Sequence, residues 1–227
     1  MNDFDADGFP ESDWEERGGL VWNEFDWERY LREQDEAIHR YLGFYEAFRG
    51  RPDRIDLVAE QMGWEPTEKA DEADGAEQSD ADAAGFPGEA EVYTLHKNPV
   101  FVATKAISLS VRRPWEILAS QPGKISPSVA IPFLVCLHRS EDNAVQAIHA
   151  LDCGDYAMAV SLLKRALGAL NEVLAFLDAD PTDRHSIVQS FRDEAVPRLF
   201  DLREVWLRVI AECRRELDRP VDDENPS

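Results

Sequence analysis

The chain has 227 residues, 44% of them hydrophobic, and a formal net charge of −22. That is enough apolar material for one domain with a proper core, which excludes a wholly disordered chain. The acidity repels phosphate backbones and argues against nucleic-acid binding. The first 91 residues carry 27 acidic and 8 basic side chains, and the remaining 136 are nearly balanced.

Residues 1–19 are acidic and glycine-containing, and read as a disordered lead-in. The start Met1-Asn2-Asp3-Phe4-Asp5 lacks the basic and apolar runs of a secretory signal, so a cytoplasmic location is expected. Asn23 is a good helix cap. Trp27, Tyr30, Leu31, Ile38, Tyr41, Leu42, Tyr45 and Phe48 then recur at helical spacing, which predicts an amphipathic helix to about Gly50. Asp53 is placed to cap a second, short helix from Ile55 to Met62, with Gly63 as its stop. These N-terminal helices, 20–64, are expected to pack on a main domain.

Residues 65–91 hold ten acids against Lys69 and almost no large apolar side chain. They read as a disordered acidic linker or insertion. The main helical domain is placed at 92–218. Asn98-Pro99 and Ser126-Pro127 are both a cap followed by proline at the first helical position. The first helix is expected to run to about Arg112, with Pro114 kinking or breaking it. The next runs to about Asp152 and bends or breaks at Pro132. Gly154 stops it, and Asp155 caps a helix from Tyr156 to Leu177. A last helical region, Thr182 to Leu217, is interrupted at Pro197. Residues 219–227 form a polar tail. The pattern predicts an all-α fold of about six or seven helices, as an antiparallel bundle or stacked helical hairpins. No apolar stretch is long enough for a membrane span.

Residues 154–167, Gly-Asp-Tyr-Ala-Met-Ala-Val-Ser-Leu-Leu-Lys-Arg-Ala-Leu, resemble the turn and second helix of a tetratricopeptide repeat. Gly154, Tyr156, Ala159, Leu163, Ala166 and Leu167 stand in that family's places. The resemblance covers 14 residues and finds no second copy at a 34-residue period, so an ordinary helical hairpin remains the alternative. It implies protein-binding scaffolding rather than chemistry.

Candidate chemistry is sparse. Glu36-x-x-His39 puts a carboxylate and an imidazole on one helix face, as in di-iron bundles. His149 belongs to a related Gln146-x-x-His149 step, and Glu172 is a further oxygen donor. Glu36, His39 and His149 are therefore the metal candidates, against the plainer reading of partly buried, hydrogen-bonded histidines. Arg32 and His39 resemble, at their spacing, the ribonuclease motif of the HEPN domains, with Glu33 in place of that family's usual residue. Ile55 to Trp64 resembles the first half of a helix-turn-helix, but acids follow where a recognition helix belongs. Arg112-Arg113 beside Trp115 is a compact cationic-aromatic cluster suited to an anion or an acidic partner. Cys136, Cys153 and Cys213 are scattered and read as small buried residues. No catalytic residue and no cofactor motif is identified. The function expected is a non-enzymatic helical module that binds a protein partner or itself; the alternative is a helical-bundle metal protein or enzyme centred on Glu36, His39 and His149.

Overall fold

A computed structural model describes residues 22–64, 95–178 and 186–219. The predicted acidic lead-in and linker, and all but the first residue of the tail, lie outside these. Among the described residues the fold is all-α, with six α-helices: α1 Glu24–Ala47, α2 Arg54–Met62, α3 Pro99–Ala119, α4 Pro127–Asp152, α5 Tyr156–Asp178 and α6 Ser186–Leu217. A 3₁₀ turn, Leu95–Lys97, leads into α3.

Local chemistry fixes most helix starts. Asn23 makes a full capping box with Asp26. The Asn98 side chain accepts from the N–H groups of Val100 and Phe101, and Ser126 accepts from Ser128. Asp53 differs from expectation. It makes no side-chain cap, because Arg51 takes its carboxylate at 2.9 Å. Between α4 and α5, Gly154 has φ of 74°, a left-handed conformation that costs glycine nothing. Asp155 then accepts from the Met158 N–H at 2.9 Å and starts α5.

None of the three internal prolines breaks its helix: α3 continues through Pro114, α4 through Pro132 and α6 through Pro197. Each proline removes one hydrogen bond. The apolar faces on both sides of each proline hold the helix together: Val111 and Trp115 around Pro114, Ala130 and Phe133 around Pro132, and Ala195 and Leu199 around Pro197 are all buried.

α3, α4, α5 and α6 form a closed four-helix ring in which each packs on the next and α6 returns to α3. Cross-contacts show that neighbours run antiparallel. The Trp115 indole donates to the Ala130 carbonyl and Lys105 meets Glu141 between α3 and α4. Arg192 meets Asp178 between α5 and α6, and the Trp206 indole donates to Thr104 at 3.0 Å between α6 and α3. α1 packs on the outside of α3, and α2 packs on α1. α3 is therefore the central helix, buried at eleven positions.

α1 and α2 reach α6 by a different route. Arg49 pairs with Glu194, Glu46 with Arg198, Arg54 with Asp201, and Asp56 with Arg208. The charges alternate in a complementary order, so only one register satisfies all four. The Tyr45 hydroxyl also donates to Asp201 at 2.6 Å, and the buried Arg54 lies 4.6 Å over the Tyr45 ring. Burial, and then the bond to Asp201, push the Tyr45 phenol well above its ordinary pKa.

Candidate functional site

The metal candidates separate. Glu36 and His39 are exposed on α1, and His149 is exposed on α4. His39 Nδ1 sits 2.7 Å from the Asp35 carbonyl, a local bond within its own helix. Among the described residues no group of three or more His, Cys, Asp or Glu side chains is placed to hold a metal, so these three form no such group. Glu172 is engaged elsewhere: it accepts from the Cys136 thiol at 3.3 Å and from Arg139 at 2.5 Å. Those two bonds hold its carboxyl below the usual range. Burial, then Glu172, push the Cys136 thiol up and away from reactive thiolate character. Cys213 is likewise buried, but Cys153 is exposed, because it lies in the turn after α4.

Arg32 pairs with Glu28 one turn away, both exposed. Arg112 and Arg113 do not share a surface with Trp115. The indole is buried against Phe133 at 4.0 Å between ring centroids, while Arg112 turns to Glu116, His138 and Glu141. No helix among the described residues is long and apolar enough to cross a membrane.

Two surface features bear on function. The first is an open groove of about 470 Å³ where α1, the end of α2 and the 3₁₀ turn meet. Glu33, Glu36 and Arg40 line one side, and His96 and Lys97 the other. Trp64 forms part of the wall and stacks on Tyr41 at 5.7 Å. Its carboxylates and cations are close enough to offset one another, with His96 Nε2 3.9 Å from Glu33. The groove presents hydrogen-bonding groups of both signs.

The second is on α6, whose 32 residues carry three distinct faces. One face, with Phe191, Ala195, Leu199, Leu202, Trp206, Ile210 and Cys213, is buried in the bundle. A second, with Glu194, Arg198, Asp201 and Arg208, meets α1 and α2. The third holds Val196, Phe200, Arg203, Leu207, Ala211 and Arg214, at steps of four, three, four, four and three. Those steps place them on one stripe. Phe200 is 51% exposed and Leu207 40%. This face was hidden in the sequence because its residues interleave with the core face in one continuous apolar pattern. A helix whose periodicity fills more than one stripe is the signal that could have found it.

No known protein family, no curated protein and no solved structure matches the chain.

Proposed function

We propose that this chain works as a helical protein-interaction module rather than as an enzyme. The observation that supports this reading is the third face of α6. A helix that already fills a bundle core with one face gains nothing for folding by exposing Phe200 and Leu207 on another. Large apolar side chains in an ordered row on a rigid helix suit recognition of another protein surface. The local resemblance of residues 154–167 to a tetratricopeptide turn and helix points the same way, since that family's hairpins serve as protein-binding scaffolds. A cytoplasmic setting is in keeping with Cys136, Cys153 and Cys213, none of which is in a disulfide. The net charge of −22 favours protein partners over nucleic acid.

The test is affinity capture with the full chain and with a Phe200→Ser/Leu207→Ser double variant, from extracts of the cells that make it. Proteins retained by the native chain and lost by the double variant are the expected result, with helicity and melting unchanged between the two. Identical capture by both chains would exclude this face.

A further inference from the structure

We infer that α1 and α2 form a strap that opens and recloses on the outside of the bundle as one unit, while α3 to α6 stay folded. The inference does not depend on which face receives a partner.

The ring is complete without the strap. α3, α4, α5 and α6 each pack on the next and close on themselves, so departure of α1 and α2 leaves that circuit intact. In the sequence, residues 65–94 lie between Trp64, which follows α2, and Leu95, which begins the 3₁₀ turn. No short connection therefore forces the two parts to move together.

Burial is lighter in the strap. α1 buries four of its 24 residues and α2 three of nine. α3 buries eleven of 21, α4 ten of 26 and α5 nine of 23. Ordering the backbone costs a similar entropy at every residue, so the part that buries the smaller share of its length is held by the least free energy. One of the four buried residues of α1 is also poorly served there. The Tyr41 hydroxyl is buried and has no hydrogen-bond partner among the described residues, and opening gives it water.

The latch to α6 is polar: Arg49 with Glu194, Glu46 with Arg198, Arg54 with Asp201, and Asp56 with Arg208. Truncating one partner of a buried pair leaves the other charge alone in a dry site. Separating the helices instead hydrates both charges together and recovers the desolvation that burial imposed. Apolar contacts have no such compensation. The latch thus sets where the strap closes more than how tightly. Opening uncovers the buried side of α1, with Tyr30, Ile38, Tyr41 and Tyr45, and the side of α3 on which α1 packs. The fold so keeps an apolar surface covered that it can present without unfolding its core.

Hydrogen exchange of the full chain, followed by mass spectrometry, tests this. Amides in the middle of α1 and of α2 should exchange together, and about tenfold or more faster than those of α3, α4 and α5. Arg54→Ala strands Asp201 in the closed state, and should speed α1 and α2 by a further factor of about ten or more with α4 and α5 unchanged. Arg54→Met with Asp201→Leu makes that part of the latch apolar, and should slow α1 and α2 relative to Arg54→Ala. Arg208→Ala, at a half-exposed pair, is the milder probe should Arg54→Ala fail to fold, and acts in the same direction by a smaller factor. Exchange of α1 and α2 no faster than that of α3, α4 and α5 overturns the strap. So does equal speeding of all helices by either arginine variant, which shows a single cooperative unit. Rates in α1 and α2 that differ and respond separately show fraying of single helices, and overturn it as well.

Discussion

Where α4 meets α5 the Ser140 hydroxyl donates to the Ala166 carbonyl, and Ala144 and Ala147 of α4 and Ala159 and Ala166 of α5 have no exposed surface. Where α1 and α2 meet α6 they are joined through four arginine–carboxylate pairs and the Tyr45 hydroxyl. The first contact is short-range and dry. Small side chains let backbones approach, and dispersion and burial supply the energy. The second is carried by long side chains with charged ends, and its strength depends on how far each pair is withdrawn from water. α4 and α5 therefore tolerate changes of charge but not of volume. α1, α2 and α6 should show the reverse, graded by burial: the Arg54 and Asp201 side chains are 7% and 19% exposed, those of Arg208 and Asp56 51% and 60%.

The largest effect should come from the buried pair. Arg54→Ala leaves Asp201 without its cation and strips the ring of Tyr45, and should cost about 3 to 5 kcal/mol. Replacing both partners, Arg54→Met with Asp201→Leu, should cost much less, because neither charge is then left alone. Urea unfolding of the two variants gives the comparison. Equal losses would mean that Arg54 acts through packing alone.

Next comes volume at the alanine contact. Ala159→Leu should overpack it and cost about 1 to 3 kcal/mol, while Lys164→Leu on the exposed side of α5 should stay within about 0.5 kcal/mol of native. Thermal melts of both at low and high salt sharpen the contrast, since salt should leave the Ala159→Leu loss unchanged.

Tyr45→Phe removes one hydroxyl and should cost about 1 kcal/mol at neutral pH, because Asp201 keeps Arg54 as a partner. The pH dependence carries more information. The folded-state pKa of Tyr45 lies well above its ordinary value of 10.0, so the folded protein keeps a proton that the unfolded chain releases. Its contribution is complete below pH 10 and declines as pH rises beyond that. Native protein should lose stability through this alkaline window more steeply than Tyr45→Phe. Tyr41, also raised chiefly by burial, leaves a residual slope in both.

The contrast between the two contacts also decides what could be read from sequence. The α4–α5 hairpin was legible almost to the residue, because its signals are local: Ser126-Pro127 opens it, Gly154 turns it and Asp155 restarts it. The all-α fold follows from the same periodicities. The ion pairs were not legible. Glu46 and Arg198 are 152 positions apart, and charges at helical spacing look like any solvated face until the helices are placed. The prolines were legible only in part: the local rule allows a bend or a break, and burial on both sides of Pro132 and Pro197 accompanies a helix that continues without a break. The candidate metal site came from local spacing alone, and α1 and α4 place His39 and His149 on separate exposed faces.

The smallest effect belongs to the outermost pair. Arg208 donates to Asp56 and to Glu204, and both hydrogen bonds hold its guanidinium protonated beyond the ordinary range. All three side chains are at least half exposed, so solvent screens them, and ordering three long side chains offsets much of the attraction. Arg208→Ala should therefore cost only about 0.2 to 1 kcal/mol at low salt, and less as the Debye length shrinks to about 3 Å near 1 M salt. Arg54→Ala should keep most of its cost under the same salt, because water and ions reach a buried pair poorly. Measuring both variants across a salt series separates burial from pairing as the source of strength. If Arg208→Ala proved as costly as Arg54→Ala and as insensitive to salt, the four pairs would act as one rigid unit, and the gradation by burial would be wrong.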